Sequence, residues 1–137
     1  MDVPRYKDSK TMVIENSEDT FSKIGGINTV QQVVDLFYDK VLADPSVNFF
    51  FKDADMNVQR GKMKAFLTMA LGGPVSYTGK DMRTAHTQLV RGGLRDSHFN
   101  TVALHLATAL RECGVGETVC HQIASMTESV RNQVLNK

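Results

Sequence analysis

The sequence predicts an all-α domain. Apolar residues recur at spacings of three and four positions in several long segments, which is the period of a helix with one buried face. No segment shows the alternation that is typical of a strand. A chain of 137 residues with 42% hydrophobic residues can bury one core, which favours a single domain. For such helices a plain bundle is the simplest architecture.

The first long helix should follow Asn28, whose side chain is suited to capping a helix. It should end near Asp44, because Pro45 disfavours the helical conformation in the residue before it. Phe37 and Tyr38 should point inward on this helix. Its apolar positions are Val30, Val33, Val34, Phe37, Tyr38, Val41 and Leu42.

A second helix should begin near Asp55 or Asn57 and run to Leu71. Gly72 and Gly73 follow, as expected where a helix ends with a glycine cap. One stripe of this helix comprises Met56, Gln59, Met63, Phe66 and Ala70, with Lys62 beside it.

The stretch from Gly72 to His86 predicts an irregular loop that leads into a short helix. It contains three glycines and Pro74, which oppose regular structure, and Asp81 is suited to capping the helix that follows. Met82, Ala85, His86 and Leu89 would share one face of that helix. On spacing alone, a single histidine on an apolar face is more often a packed residue than a metal ligand.

Two longer helices complete the pattern. One starts at about Asp96, and His98 near its start is expected to be a neighbour of the cap. The other starts at about Glu117 and should include Val134. Their apolar positions are Phe99, Val102, Ala103, Leu106 and Leu110 in the first, and Val119, Ile123, Met126, Val130 and Val134 in the second.

The charge balance and the cysteines exclude several classes of protein. With 16 basic and 15 acidic residues in no long run, nothing favours a nucleic-acid or membrane partner. Cys113 and Cys120 are expected to be reduced thiols rather than a disulfide or a zinc site. Residues 1–18 are polar and show no secretory signal, so we expect an N-terminal extension, a domain over 19–137 and a cytoplasmic location. We also expect a monomer.

Taken in order, these segments resemble the truncated haemoglobins, the small 2-on-2 globins, and in particular their first group. The resemblance covers most of the chain. The matching stretches are Phe21–Gly26, Leu36–Tyr38, Val41–Asp44, Phe50–Phe51, Phe66–Thr68, Gly72–His86 and Leu110–Val115. The other two groups carry a tryptophan where this chain has Val102, and the chain contains no tryptophan.

The resemblance implies a fold in which two pairs of helices sandwich a haem b, with the irregular loop bending around its edge. His86 corresponds to the proximal ligand of the iron. The residues that correspond to the walls of the haem pocket are Phe51, Phe66, Met82, Leu89, Phe99, Val102 and Ile123. Each of these could equally be ordinary core packing, because a haem wall is also a core.

On the opposite, distal side the resemblance points to two hydrogen-bond donors, Tyr38 and Gln59. A buried phenol there could donate to a bound gas, whereas the alternative is a hydroxyl that reaches solvent. Gln59 has the corresponding alternative of a solvated side chain. Where many relatives have a second glutamine this chain has Met63, which lines the pocket but donates no hydrogen bond.

Lys62 lies where some algal and cyanobacterial relatives place a residue that coordinates the iron itself when no gas is bound. The resemblance therefore implies a hexacoordinate iron with His86 and Lys62 as its metal ligands. To ligate, a lysine amine must lose its proton, which at pH 7 costs about 4.6 kcal/mol. The alternative, an ion pair with a haem propionate, needs no deprotonation.

The function implied is the binding of oxygen, nitric oxide and carbon monoxide at haem iron. An oxygen-dependent conversion of nitric oxide to nitrate is the leading activity, with Tyr38 and Gln59 as the catalytic residues and an external reductase as partner. Two alternatives stay open: a non-enzymatic module that binds or senses gas, and an electron-transfer protein. The sequence shows no phosphate-binding loop and no hydrolase motif.

Overall fold

The computed structural model describes residues 20–74 and 82–137, apart from the side chains of residues 82–85 and 88. These ranges form α-helices and one short 3₁₀ helix and contain no strand, so the all-α prediction is confirmed. The helices are α1 (Thr20–Lys23), α2 (Gly26–Leu42), α3 (Met56–Ala70), α4 (Met82–Arg91), α5 (Asp96–Glu112), α6 (Glu117–Ser129) and α7 (Arg131–Val134), and the 3₁₀ helix is Asn48–Phe51. Among them, none combines the length and the apolar character that crossing a membrane requires.

The predicted N-terminal extension lies outside the described residues, and so does the part of the predicted loop from Val75 to Asp81, including the expected Asp81 cap.

Helix α2 begins at Gly26, so the prediction that Asn28 caps it is wrong. Gly25 and Gly26 have φ angles of 113° and 65°, in the left-handed region that glycine adopts without strain. A Cβ atom at Gly25 would lie 2.3 Å from Thr29 Oγ1. The chain therefore turns from α1 into α2 through a glycine pair, which leaves Asn28 inside the first turn.

Helix α3 has the ends that the sequence predicts. The Asp55 carboxylate accepts hydrogen bonds from the backbone N–H groups of Asn57 at 3.0 Å and Val58 at 3.4 Å. At the other end Gly72 has a φ of 81°, and the Gly73 N–H donates to the Thr68 carbonyl at 2.8 Å. Both caps satisfy backbone groups that the helix leaves without partners.

The main core lies among helices α2, α3, α5 and α6. Helix α2 packs against both α3 and α5, and α6 packs against α3 and α5. This first apolar cluster includes Phe37, Leu67, Leu110 and Ile123, each at most 2% exposed. Inward-facing positions of the predicted helical stripes thus meet in one core.

A second, smaller apolar cluster joins α4 and α7 to the start of α5. It consists of Leu94, Phe99 and Leu135, with Leu89 among the half-buried residues packed against it. Phe50 of the 3₁₀ helix packs against both clusters. The 3₁₀ helix, which the sequence analysis did not predict, thus lies at the junction of the two clusters.

The last predicted helix is interrupted, which corrects the expectation of one continuous helix from about Glu117 through Val134. Helix α6 ends at Ser129, Val130 has φ −102° and ψ 0°, and α7 starts at Arg131. The hydroxyl of Ser129 donates to the Met126 carbonyl at 2.6 Å. Such side-chain bonds to the preceding turn compete with the helical pattern, and the break redirects α7 onto α4.

Both cysteines are free thiols, as the sequence predicts, with Cys113 half-buried and Cys120 buried. Burial raises the pKa of each thiol, so both stay protonated at neutral pH.

Candidate functional site

His86 lies in the middle of α4 and is half-buried. The adjacent Thr87 hydroxyl donates to the Asn136 side-chain oxygen at 3.0 Å, and Leu89 and Val90 pack against the second cluster. The helix that carries the His86 imidazole, α4, therefore packs against α7 and the start of α5.

Tyr38 is buried on the inner face of α2, with 3% of the residue exposed. Its hydroxyl donates to the Gln59 backbone carbonyl at 3.2 Å. Its ring meets Phe37 and Phe51 edge-on, at centroid distances of 4.8 and 6.0 Å. The phenol is thus buried beside α3, as a distal donor must be. Its role as a hydrogen-bond donor to a ligand stays a prediction.

Burial raises the pKa of Tyr38 to about 12, and the nearby positive charge of Arg60 opposes that rise. The Arg60 guanidinium carbon lies 5.9 Å from the centre of the Tyr38 ring. The phenol therefore keeps its proton throughout the physiological range and remains a hydrogen-bond donor. Sequence reasoning missed Arg60, because only the packing of α3 on α2 brings it to this ring.

The α3 residues that the sequence singles out differ in their exposure. Gln59 and Met63 are half-buried, Phe66 is buried, and Lys62 is exposed. Within the described ranges Lys62 forms neither a hydrogen bond nor an ion pair. Its side chain is therefore in contact with solvent.

The predicted wall residues are divided between the two apolar clusters. Phe66 and Ile123 belong to the first cluster, and Phe51, Met63 and Val102 are half-buried against it. Leu89 and Phe99 belong to the second cluster or pack against it. The Met82 side chain lies outside the described residues.

Ile123 and Phe99 do not depend on a ligand for their burial. Ile123 is 1% exposed inside the first cluster, and both residues line a cleft of about 240 Å³ between α5 and α6. The Arg131 guanidinium carbon lies 4.5 Å from the centre of the Phe99 ring. Both residues pack in the core, and their contact with a haem stays a prediction.

These residues fit a haem. The porphyrin needs an axial nitrogen and apolar contacts on both of its faces. His86 supplies an imidazole, and half-buried apolar side chains remain on each of the two clusters. No three His, Cys, Asp or Glu side chains in the described ranges are grouped to hold a metal ion by themselves. A single imidazole is the protein ligand that globins use.

Two other histidines have structural partners. His98 accepts a hydrogen bond at Nδ1 from the Arg95 backbone N–H at 2.9 Å, which confirms its place beside the helix cap. His105 Nε2 lies 2.7 Å from the Asp44 carboxylate, a contact between α5 and the end of α2 that the sequence did not indicate. Neither histidine has a place in the candidate site.

Comparison with known proteins gives a consistent family. The model of the bacterial-like globin family matches residues 19–136. The group 1 truncated hemoglobin LI410 of Chlamydomonas moewusii is 47% identical over 116 residues, which are 85% of this chain and 67% of that protein. The group 1 truncated hemoglobin of Tetrahymena pyriformis is 42% identical over 117 residues, covering 85% and 94% of the two chains.

Solved structures agree with these sequence matches. The 2/2 hemoglobin from Synechococcus sp. PCC 7002, solved in the cyanomet state with covalently attached heme, superposes with a TM-score of 0.80 at 39% identity. The match covers 87% of this chain and 99% of that one. The Fe(III) form of the Tetrahymena pyriformis protein superposes with a TM-score of 0.77 at 41% identity, covering 88% and 100%.

Proposed function

Because this chain belongs to the group 1 truncated haemoglobins, whose fold holds a haem that binds diatomic gases, we propose that it converts nitric oxide and oxygen to nitrate. The observation that carries the proposal is the buried, protonated Tyr38 phenol beside Gln59 at the start of α3. A protonated donor at that place suits a reaction in which negative charge develops on oxygen.

His86 would hold the haem through one imidazole nitrogen, and the half-buried apolar side chains of both clusters would contact the porphyrin. Haem iron supplies, when bound, the site for the gas and a path for electrons. One nitric oxide, one dioxygen and one electron give one nitrate ion. Each turnover therefore draws one electron from an external reductase.

Tyr38 and Gln59 would orient the oxygen and stabilise the charge that it gains. The Tyr38 hydroxyl already donates to the Gln59 carbonyl, so it must rotate away from that partner to reach a ligand. Exchanging one hydrogen bond for a better, charge-assisted one leaves a net gain of about 1 kcal/mol. The backbone carbonyl in this bond belongs to Gln59, and the side-chain amide of the same residue would supply the second donor.

Lys62 would act as an exchangeable sixth ligand of the iron. Its amine has no carboxylate partner among the described residues, so nothing there opposes an inward swing. Its present exposure means that the swing must also strip water and a proton from the amine. Lys62 and a gas would compete for the same site, so Lys62 would be in solvent whenever a gas is bound.

The test is turnover in air-saturated buffer with NADPH and a flavoprotein reductase. We expect nitric oxide to be consumed catalytically, with one nitrate formed per nitric oxide. Tyr38→Phe should release oxygen roughly fivefold faster than the wild-type protein, since one net hydrogen bond is lost. Gln59→Leu should act in the same direction, whereas Gln31→Leu, an exposed glutamine of α2, should have no effect.

Reversible gas binding without nitrate production would contradict the enzymatic proposal and favour a binding or sensing module. Oxygen release at the wild-type rate in Tyr38→Phe would remove Tyr38 from the site. Fast electron exchange with the reductase, combined with no gas binding while Lys62 is present, would favour the electron-transfer alternative.

A further inference from the structure

We infer that helix α7 positions His86, and that Arg131 and Asn136 are the positioning residues through which it does so. The inference rests on the proposal that His86 ligates haem iron. It identifies the contacts that hold α4, the helix that carries His86.

Helix α4 makes its most extensive helix contact with α7. Thr87, the residue after His86, donates from its hydroxyl to Asn136 Oδ1 at 3.0 Å. The amide nitrogen of Asn136 in turn donates to the Gln133 carbonyl at 3.2 Å, inside α7. Asn136 has a φ of 59°, a left-handed conformation that asparagine tolerates better than most residues. One side-chain amide therefore bridges α7 to the turn of α4 that carries His86.

Apolar contacts strengthen the same junction. Leu135 is 4% exposed and forms the second cluster with Leu94 and Phe99. Leu89 of α4 and Val134 of α7 pack against that cluster. Leu89 and Val90 of α4 thus pack where α7 meets the start of α5.

Arg131, the first residue of α7, binds to side chains of α5. Its guanidinium donates to Asp96 Oδ1 at 3.0 Å, to Asn100 Oδ1 at 2.5 Å and to both oxygens of Glu128 at 2.6 and 3.0 Å. The same group lies over the Phe99 ring. An arginine with this many directed contacts is held in a single orientation, as a lysine would not be.

These contacts connect the main core to α4, the helix that carries His86. Helix α5 packs on α2 in the main core, Arg131 fixes α7 on α5, and Asn136 fixes α4 on α7. The orientation of a ligating imidazole depends on what surrounds it, so a shift of α4 changes the bond between iron and histidine. Loosening α7 should therefore alter that bond without touching the distal side.

The experiment compares Arg131→Met and Asn136→Gly with Arg111→Met. Asn136→Gly deletes the bridging amide while glycine keeps the left-handed backbone, so it tests the bridge even if Arg131→Met does not fold. Asn136→Asp retains an acceptor for Thr87 and serves as the conservative variant. Arg111 is the matched control, because it also donates two bonds to a glutamate, Glu117, at 2.9 and 3.4 Å, from the other end of α5.

Two readouts apply. Hydrogen exchange of the α4 amides, measured in the protein as purified, should be roughly fivefold faster in Arg131→Met and Asn136→Gly, as expected for one lost hydrogen bond. In the ferrous haem protein, the iron–histidine stretching band in the resonance Raman spectrum should shift in these two variants. Asn136→Asp and Arg111→Met should resemble the wild type in both measurements.

Unchanged exchange in α4 and an unchanged Raman band, in variants whose α7 amides do exchange faster, would overturn the inference. An equal effect of Arg111→Met would also overturn it, because the cause would then be general destabilisation. A wild-type protein that took up no haem would contradict the proposed function instead, and the exchange measurement would still decide whether α7 supports α4.

Discussion

At the scale of single residues, the candidate site depends on side chains that have other partners in the protein. The Tyr38 hydroxyl is bonded to the Gln59 carbonyl, and Arg60 lies over its ring. Burial keeps the phenol protonated. The Gln59 carbonyl and a ligand would therefore compete for the single hydrogen bond that its hydroxyl can donate. Gas affinity in this protein should therefore respond to changes in the backbone of α3 as well as to the identity of Tyr38.

Lys62→Ala is the decisive variant for the sixth ligand. If Lys62 ligates iron, the ferric wild-type protein should show a low-spin absorption spectrum at and above pH 7. It should become high-spin as the pH falls, because the amine must be deprotonated to bind. We expect Lys62→Ala to be high-spin at every pH between 5 and 10.

Lys64→Ala is the control, because Lys64 is the next lysine on α3 and should leave the low-spin spectrum intact. High-spin spectra in both the wild type and Lys62→Ala would contradict ligation. Lys62 would then be assigned to a propionate, and the variant should instead lose haem faster.

At the scale of secondary-structure elements, a contact between Asp44 and His105 joins the turn after α2 to α5. The Asp44 carboxylate lies 2.7 Å from His105 Nε2 and also accepts from the Ser46 N–H and hydroxyl at 2.9 and 2.8 Å. The hydrogen bond with His105, followed by those from Ser46, lowers the pKa of Asp44 to about 2. The turn that follows α2 is therefore organised around an ionised carboxylate.

The pH dependence of stability should show this contact. A carboxyl whose pKa is lower in the folded than in the unfolded protein stabilises the fold above the unfolded pKa, about 3.9 for Asp. That stabilisation is lost as the pH falls towards the folded pKa of about 2. We expect Asp44→Asn to have a lower Tm than the wild type at pH 7, with the difference closing between about pH 4 and pH 2.

Asp39→Asn provides the comparison, since Asp39 is an exposed carboxylate on the same helix. It should change the Tm little at any pH. A difference in Tm between Asp44→Asn and the wild type that stayed constant from pH 7 to pH 2 would contradict the prediction. It would show that the charge of Asp44 does not account for the loss of stability.

At the scale of the whole molecule, two apolar clusters of unequal size hold different sets of helices together. The larger cluster fixes α2, α3, α5 and α6, and the smaller one fixes α4 and α7 on the start of α5. The candidate site draws its residues from both. Stability should therefore depend chiefly on the larger cluster, and the geometry of His86 on the smaller one.

Leu110→Ala measures the contribution of the larger cluster. Leu110 is 2% exposed, so its truncation leaves a cavity and should lower the free energy of unfolding by about 2–5 kcal/mol. Leu104→Ala, on the same helix at a position that is 62% exposed, should change it by no more than about 0.5 kcal/mol. Urea unfolding of both variants gives the comparison, and similar values for the two would contradict this assignment of the core.

By itself, the sequence determined the helices with strong local signals. Helical periodicity marked the inner faces of α2, α3 and α5, and Asp55 and Gly72 marked the ends of α3, because caps and periodicity depend on neighbours within a few residues. The order of short matching segments also indicated the family, which the comparisons confirm.

Contacts between residues distant in the chain were decided only by the tertiary structure. The glycine pair that starts α2, the break at Val130, the Asp44–His105 contact and the position of Arg60 over Tyr38 all depend on the mutual packing of helices. The same holds for α7, whose support of the His86 helix joins residues 49 positions apart. Periodicity shows which face of a helix is buried, but the partner of that face is selected by the packing of the whole chain.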